Sequence, residues 1–139
     1  MKKFIIFILL ISPSFLFPQN PEFNKYFVDK TLRIDVTHSG TKTTEYFSID
    51  NIYEYPIWSG NKKNLIDNRN LGEYLLKVYD EKSNKLIYSF GYCTIFNEWQ
   101  TTDEASKGIF KSMDESLLIP EPKEPVKIII ARRNKKMLF

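Results

Sequence analysis

Apolar and polar positions alternate most cleanly over residues 31–38, where Leu32, Ile34 and Val36 fall on one side and Arg33, Asp35 and Thr37 on the other. A period of two marks a strand with one buried face. Residues 38–41 (H-S-G-T) then read as a turn, with Gly40 free to take positive φ. Residues 43–49 are β-branched and aromatic, which predicts the return strand of a hairpin. The pattern continues over residues 50–55 and is ended or interrupted by Pro56. Before this hairpin, Phe23, Tyr26 and Phe27 stand at helical spacing and predict one short turn of helix.

Further along, the W-S-G-N run from Trp58 looks like a turn with an anchored tryptophan. Residues 61–70 change to Asn, Lys, Asp and Arg, a surface loop held down by Leu65. Tyr74, Leu76 and Val78 alternate with Leu75, Lys77 and Tyr79, and residues 80–85 (D-E-K-S-N-K) form a hairpin loop. The partner strand runs from Leu86 into the aromatic stretch 88–105, Y-S-F-G-Y-C-T-I-F-N-E-W-Q-T-T-D-E-A, and the pattern breaks after Phe96. Thr101 and Glu104 satisfy S/T-x-x-E, so Thr101 is expected to cap a helix that Gly108 stops within two turns. Extended structure returns over 109–119. Residues 120–125 (P-E-P-K-E-P) read as a stiff crossover, and Val126, Ile128 and Ile130 as a last strand. Seven or so short strands, a few helical turns and no βα alternation predict an all-β fold. The expectation is an antiparallel β-sandwich of immunoglobulin-like shape with one or two short helices.

Composition narrows this picture. The 139 residues are 42% hydrophobic and 15% aromatic, enough for one domain with its own core. Lys2 and Lys3 precede an unbroken apolar run over residues 4–11, as in an export signal, here assigned to residues 1–19 with the sandwich over 20–139. The protein is therefore expected outside the cytoplasm: periplasmic, cell-surface or secreted. Setting those two lysines aside leaves 18 of the 20 basic residues against 17 acidic ones. So even a balance gives no footprint for nucleic acid.

Candidate chemistry is sparse. There is one histidine and one cysteine. A zinc peptidase centre needs two imidazoles one helical turn apart, as in H-E-x-x-H, and a single histidine cannot supply it. His38 beside Ser39-Gly40 reads as a solvated turn residue. Cys93, inside a strand pattern, reads as a small apolar filler on a sheet face. Glu98, Asp103 and Glu104 cluster near Trp99 and could line a glycosidase cleft, but helix capping accounts for them more simply. Trp58 and Trp99, with Tyr53, Tyr55 and Tyr92, could form a platform for sugar or peptide. Packing in the core or between domains is the favoured reading. No catalytic residue, metal ligand or cofactor is expected.

Four segments, in order, resemble one known module. Residues 27–35 (F-V-D-K-T-L-R-I-D) with Ser39-Gly40 are similar to its opening, and W-S-G-N at 58–61 leading to N-L-I-D at 64–67 to its second signature. L-I-Y-S at 86–89, through T-I-F at 94–96 to T-T-D-E-A at 101–105, is similar to the third. L-L-I-P-E-P-K at 117–123 is similar to the crossover into the last strand. The module is the amino-terminal domain of the IgA-peptidase-like zinc metallopeptidases, metallopeptidase family sixty-four, and the resemblance spans about residues 22–133. It implies a β-sandwich ahead of a catalytic domain that holds zinc on an H-E-x-x-H helix. The sequence ends at Phe139 before such a helix, so no catalytic or metal residue carries over. The expectation is a non-catalytic docking domain whose partner is a metallopeptidase catalytic domain or another protein. Trp58, Glu98, Trp99, Thr101 and Thr102 would be its contact residues. The competing expectation is a free-standing glycan- or peptide-binding module built on Trp58 and Trp99.

Overall fold

A computed structural model describes residues 21–69, 71–134 and 138, so the expected export signal lies outside the described residues. A short helix, α1 (Pro21–Tyr26), leads directly into β1 (Phe27–Gly40), which forms a hairpin with β2 (Glu45–Tyr55). The second hairpin joins β3 (Tyr74–Asp80) to β4 (Leu86–Tyr92). Two helical turns, α2 (Ile95–Trp99) and α3 (Asp103–Ser106), carry the chain to β5 (Lys111–Pro122) and then β6 (Val126–Arg132). Among the described residues the six strands form two three-stranded antiparallel sheets, ordered β2-β1-β5 and β4-β3-β6. The antiparallel sandwich with short helices is the fold.

The alternation along β1 aims Ile34 and Val36 at the opposing sheet, where Leu76 and Val78 of β3 and Tyr88 of β4 meet them. Leu117 and Ile119 of β5 pair across from Ile34 and Leu32 and complete the near wall. Phe23, Phe27, Trp58 and Leu65 close one end of this core. Trp58 stands edge-on to Tyr88 at 5.9 Å, and Phe27 meets the same ring at 6.3 Å. The β1–β2 turn falls later than expected: residues 38–40 still pair with β2, and the turn is 41–44, closed by the Thr41 amide donating to Thr44 O at 2.9 Å, while Gly40 does take positive φ, at +151.

Three boundaries differ from the sequence pattern. Strand β5 runs through Pro120 to Pro122, so half of the expected stiff crossover is strand; an edge strand tolerates proline because its outer N–H has no partner to lose. Strand β2 ends at Tyr55, as expected, but begins only at Glu45, and Asp50 is the extra residue of a bulge between Ile49 and Asn51. The bulge and its carboxylate blunt an edge on which Ile49 and Ile52 stay exposed. The aromatic stretch leaves the sheet at Tyr92, four residues before the expected break at Phe96.

Leu65 tacks down the polar loop as expected, and Asp67 does most of the remaining work. Leu65 O accepts the Ser89 amide at 2.9 Å, so the loop covers the free edge of β4. The Asp67 carboxylate is nearly buried. It accepts from the Arg69 guanidinium and amide at 3.0 Å and from the Gly91 amide at 3.1 Å. The Arg69 hydrogen bonds hold its pKa well below the usual carboxylate range, against the upward pull of burial. Asp67→Ala is expected to cost about 1–3 kcal/mol by leaving a buried amide unpaired. Faster hydrogen exchange at Ser89 and Gly91 would accompany the lowered denaturation midpoint.

Candidate functional site

The corner between β4 and β5 is built by two caps. Thr94 has extended backbone and accepts the Asn97 amide at 3.0 Å, which starts α2 one turn earlier than the aromatic pattern suggests. Phe96 and Trp99, three apart, therefore turn inward with Ala105 to form a second small core. Ile95 turns outward and is 73% exposed. The second cap is Thr102, not Thr101: its hydroxyl accepts the Ala105 amide at 3.3 Å. Thr101 instead donates its hydroxyl to Glu98 O at 2.7 Å. Glu104 does not reach back to complete a capping box. Its carboxylate accepts the Trp99 indole N–H at 2.8 Å and Lys111 Nζ at 2.9 Å, and Lys111 first, then Trp99, hold its pKa below the ordinary value.

Each residue expected at a contact site can now be placed. Glu98, Thr101 and Thr102 are exposed on the corner. Trp58 and Trp99 are only 6% exposed, one in each core, so neither indole is presented to a ligand or partner. Packing in the core was the favoured reading of both rings, and each has internal neighbours. Cys93 is a further correction: it is exposed, just past the end of β4, and fills no sheet face. Ile109 and Phe110, which approach β5 from α3, leave apolar side chains in water, with Phe110 59% exposed.

Directly beneath the corner lies a polar hub that the sequence reading missed. His38 is not a solvated turn residue but fully buried, its ring between Phe47 at 3.9 Å and Phe96 at 4.0 Å. Its Nδ1 lies 2.9 Å from Glu115 Oε1 and its Nε2 3.2 Å from Glu45 Oε2. Glu45 Oε2 also accepts Tyr74 OH at 2.7 Å and Arg132 Nη1 at 3.2 Å. Arg132 Nη2 then donates to Gln100 Oε1 at 2.9 Å, and Gln100 Nε2 to Thr41 O at 2.9 Å. The chain of contacts ties α2 to β6 and to the β1–β2 turn. The signal for His38 was in the alternation itself: it occupies the next even position after Leu32, Ile34 and Val36.

Burial raises the Tyr74 phenol, and the neighbouring Glu45 charge raises it further. Burial pushes Glu45 up as well, but hydrogen bonds from His38 and Tyr74 and the Arg132 charge hold it below its ordinary value. The arrangement cannot act as a metal centre, because the two ring nitrogens face different carboxylates rather than one point in space. Among the described residues no cluster of three or more His, Cys, Asp or Glu side chains could hold a metal ion.

A groove of about 790 Å³ lies elsewhere, between the 61–69 loop and β4. Its charged groups are already engaged, Asp67 with Arg69 and Lys85 with Glu22, and neither tryptophan lines it. No helix among the described residues is long and apolar enough to cross a membrane.

Taken together these features define an antiparallel β-sandwich domain whose polar chemistry is turned inward and whose apolar exposure gathers at a helical corner and along an edge strand. Residues 22–139 match the peptidase M64 N-terminus family, and the chain belongs to that family. Among curated proteins none matches it.

Proposed function

We propose that this domain is the non-catalytic, amino-terminal accessory part of an exported, IgA-peptidase-like zinc metallopeptidase. It docks through the α2–α3 corner onto the catalytic domain, or onto another protein, and zinc and the hydrolytic residues reside on a different domain. What carries the reading is the exposure of Ile95 and Phe110 on a corner that also presents Glu98, Thr101 and Thr102, within a domain of a peptidase family's amino terminus. Apolar groups rimmed by polar ones are the ordinary composition of a contact surface. The corner is braced from below by Phe96, Trp99 and the Arg132–Gln100 contact, so docking needs little ordering. The glycan- or peptide-binding alternative loses its aromatic platform, since both indoles are internal.

The test is calorimetric titration of the domain with an M64 zinc domain supplied on a separate chain. Wild type is expected to bind, and Ile95→Asp with Phe110→Asp to weaken binding by about a hundredfold, the loss of two apolar anchors, at an unchanged melting temperature. Unaltered affinity in that variant would remove the corner from the interface. Turnover of a protein substrate by the zinc-loaded domain alone would overturn the accessory role.

A further inference from the structure

The docking reading leaves His38 without a task, yet its ring is fully buried and engaged at both nitrogens. Both ring nitrogens lie within hydrogen-bond distance of a carboxylate oxygen, at 2.9 Å for Glu115 and 3.2 Å for Glu45. A neutral imidazole has one N–H and one lone pair. In that form one of the two contacts would set a nitrogen lone pair against a carboxylate oxygen. Only the imidazolium donates to both.

The surrounding charges agree. Glu45 of β2, Glu115 of β5 and Arg132 of β6 are the charged groups of the hub, with the phenol of Tyr74 on β3 donating to Glu45 and the more exposed Glu73 meeting Arg132 from its outer side at 3.4 Å. The phenol of Tyr92 on β4 adds no charge; burial first, then Glu115 and Glu45, raise its pKa. From α2 come the Phe96 ring and the uncharged Gln100. With His38 protonated, the two carboxylates that face the ring are met by the imidazolium and by Arg132, which Glu73 shares from the outer side. With His38 neutral, a net negative charge is left in a largely desolvated place, which is costly.

We propose that His38 is a buried imidazolium that latches the α2–α3 corner to both sheets, and that its deprotonation loosens the corner. The linkage is mechanical and short. When the ring loses its proton to bulk solvent, Glu45 faces a lone pair and must draw back from it. Glu45 is held by Arg132, Arg132 holds Gln100 and Asn97 of the corner, and Gln100 holds the β1–β2 turn. Phe96, the inward residue of α2, stacks on the ring itself. Burial, the largest single influence, draws the imidazole pKa down, but hydrogen bonds and charge from Glu115 and Glu45 together carry it above its ordinary value. A folded-state pKa raised in this way adds stability that is complete below the unfolded value of about 6.5. It is lost as pH climbs through the folded pKa. The latch is thus closed in mild acid and released toward alkali.

Because the chain has one histidine, its ring can be observed without assignment ambiguity. Nitrogen-15 and proton NMR of the full chain is expected to show both ring nitrogens protonated at neutral pH, with a titration midpoint above that of free imidazole. As pH passes that midpoint, amide exchange over residues 96–105 should accelerate by about tenfold or more beyond the intrinsic rise, as for a local opening. The β3 amides of Leu76 and Val78 should not follow. In His38→Gln the extra acceleration should vanish. One protonated nitrogen at neutral pH would overturn the proposal, as would a titration that leaves corner exchange unchanged or its persistence in His38→Gln. No partner is present in these measurements, so the latch and the docking role, which it would regulate, can fail separately.

Discussion

Trp58→Ala is expected to destabilise the domain by about 3–5 kcal/mol, the usual cost of emptying a buried aromatic site. The indole sits between the end of β2 and β4, 6% exposed, with the Tyr88 ring edge-on at 5.9 Å. It also lies directly over Gly60: a methyl group there would come within 2.2 Å of the indole ring carbon Cζ2. The turn that follows β2 is therefore shaped around this ring, and no neighbour is free to collapse into its place. The indole Nε1 is buried without a hydrogen-bond partner in the protein, so the ring is retained for its volume rather than its polarity. Trp58→Phe should consequently lose well under half as much as Trp58→Ala. Denaturant titration of the two variants checks both statements. A loss below about 1 kcal/mol for the alanine variant would place it with surface substitutions and return the indole to candidacy as a ligand platform.

The same residue shows how far local pattern reaches. Trp58 beside Ser59-Gly60 reads as a turn tryptophan, and the turn is real, but whether its ring points out or in depends on Tyr88 and Phe27, each about thirty residues away. The strands were legible wherever one face met water: the alternation in β1, β3 and β6 matches which side chains are covered. It failed where both faces carry apolar groups or where a cap outranks propensity. Residues 92–96 (Y-C-T-I-F) are aromatic and β-branched, so they read as strand; one hydrogen bond from the Asn97 amide to Thr94 turns them into the start of a helix. That single event sends Ile95 outward, leaves Cys93 exposed and buries Phe96.

The hub was the least legible part. His38 sits on the inward side of an alternation that was read correctly, but its partners come from the return strand and from residue 115, 77 positions on. Polar residues on an inward face are normally a warning against the strand assignment. Here they are admissible because His38, Glu45, Glu115, Tyr74 and Arg132 close on one another.

Glu45 is where that closure is most exposed to test, and Glu45→Ala is expected to cost about 2–4 kcal/mol, toward the low side of breaking a buried ion pair. Three donors converge on its Oε2: the His38 ring, the Tyr74 phenol and the Arg132 guanidinium. Removing the carboxylate strands all three. Arg132 suffers least, since it keeps a third of its side chain in water and retains Gln100, whereas His38 and Tyr74 are fully buried. The pH profile should change on both sides. In wild type the depressed Glu45 pKa adds stability that is present above the unfolded carboxylate value of about 4.3. That contribution fades as pH falls through the folded pKa. The raised His38 pKa adds stability that fades toward alkali. Glu45→Ala should flatten the acid limb and, by leaving the imidazolium with one carboxylate instead of two, move the alkaline limb to lower pH. Melting temperatures measured from pH 2 to pH 9 would show a wild-type profile that falls at both ends, and a variant profile with a shallower acid fall and an alkaline fall that begins at lower pH. Parallel profiles displaced by a constant amount would mean that Glu45 supports the fold by shape alone, and that the imidazole does not depend on its charge.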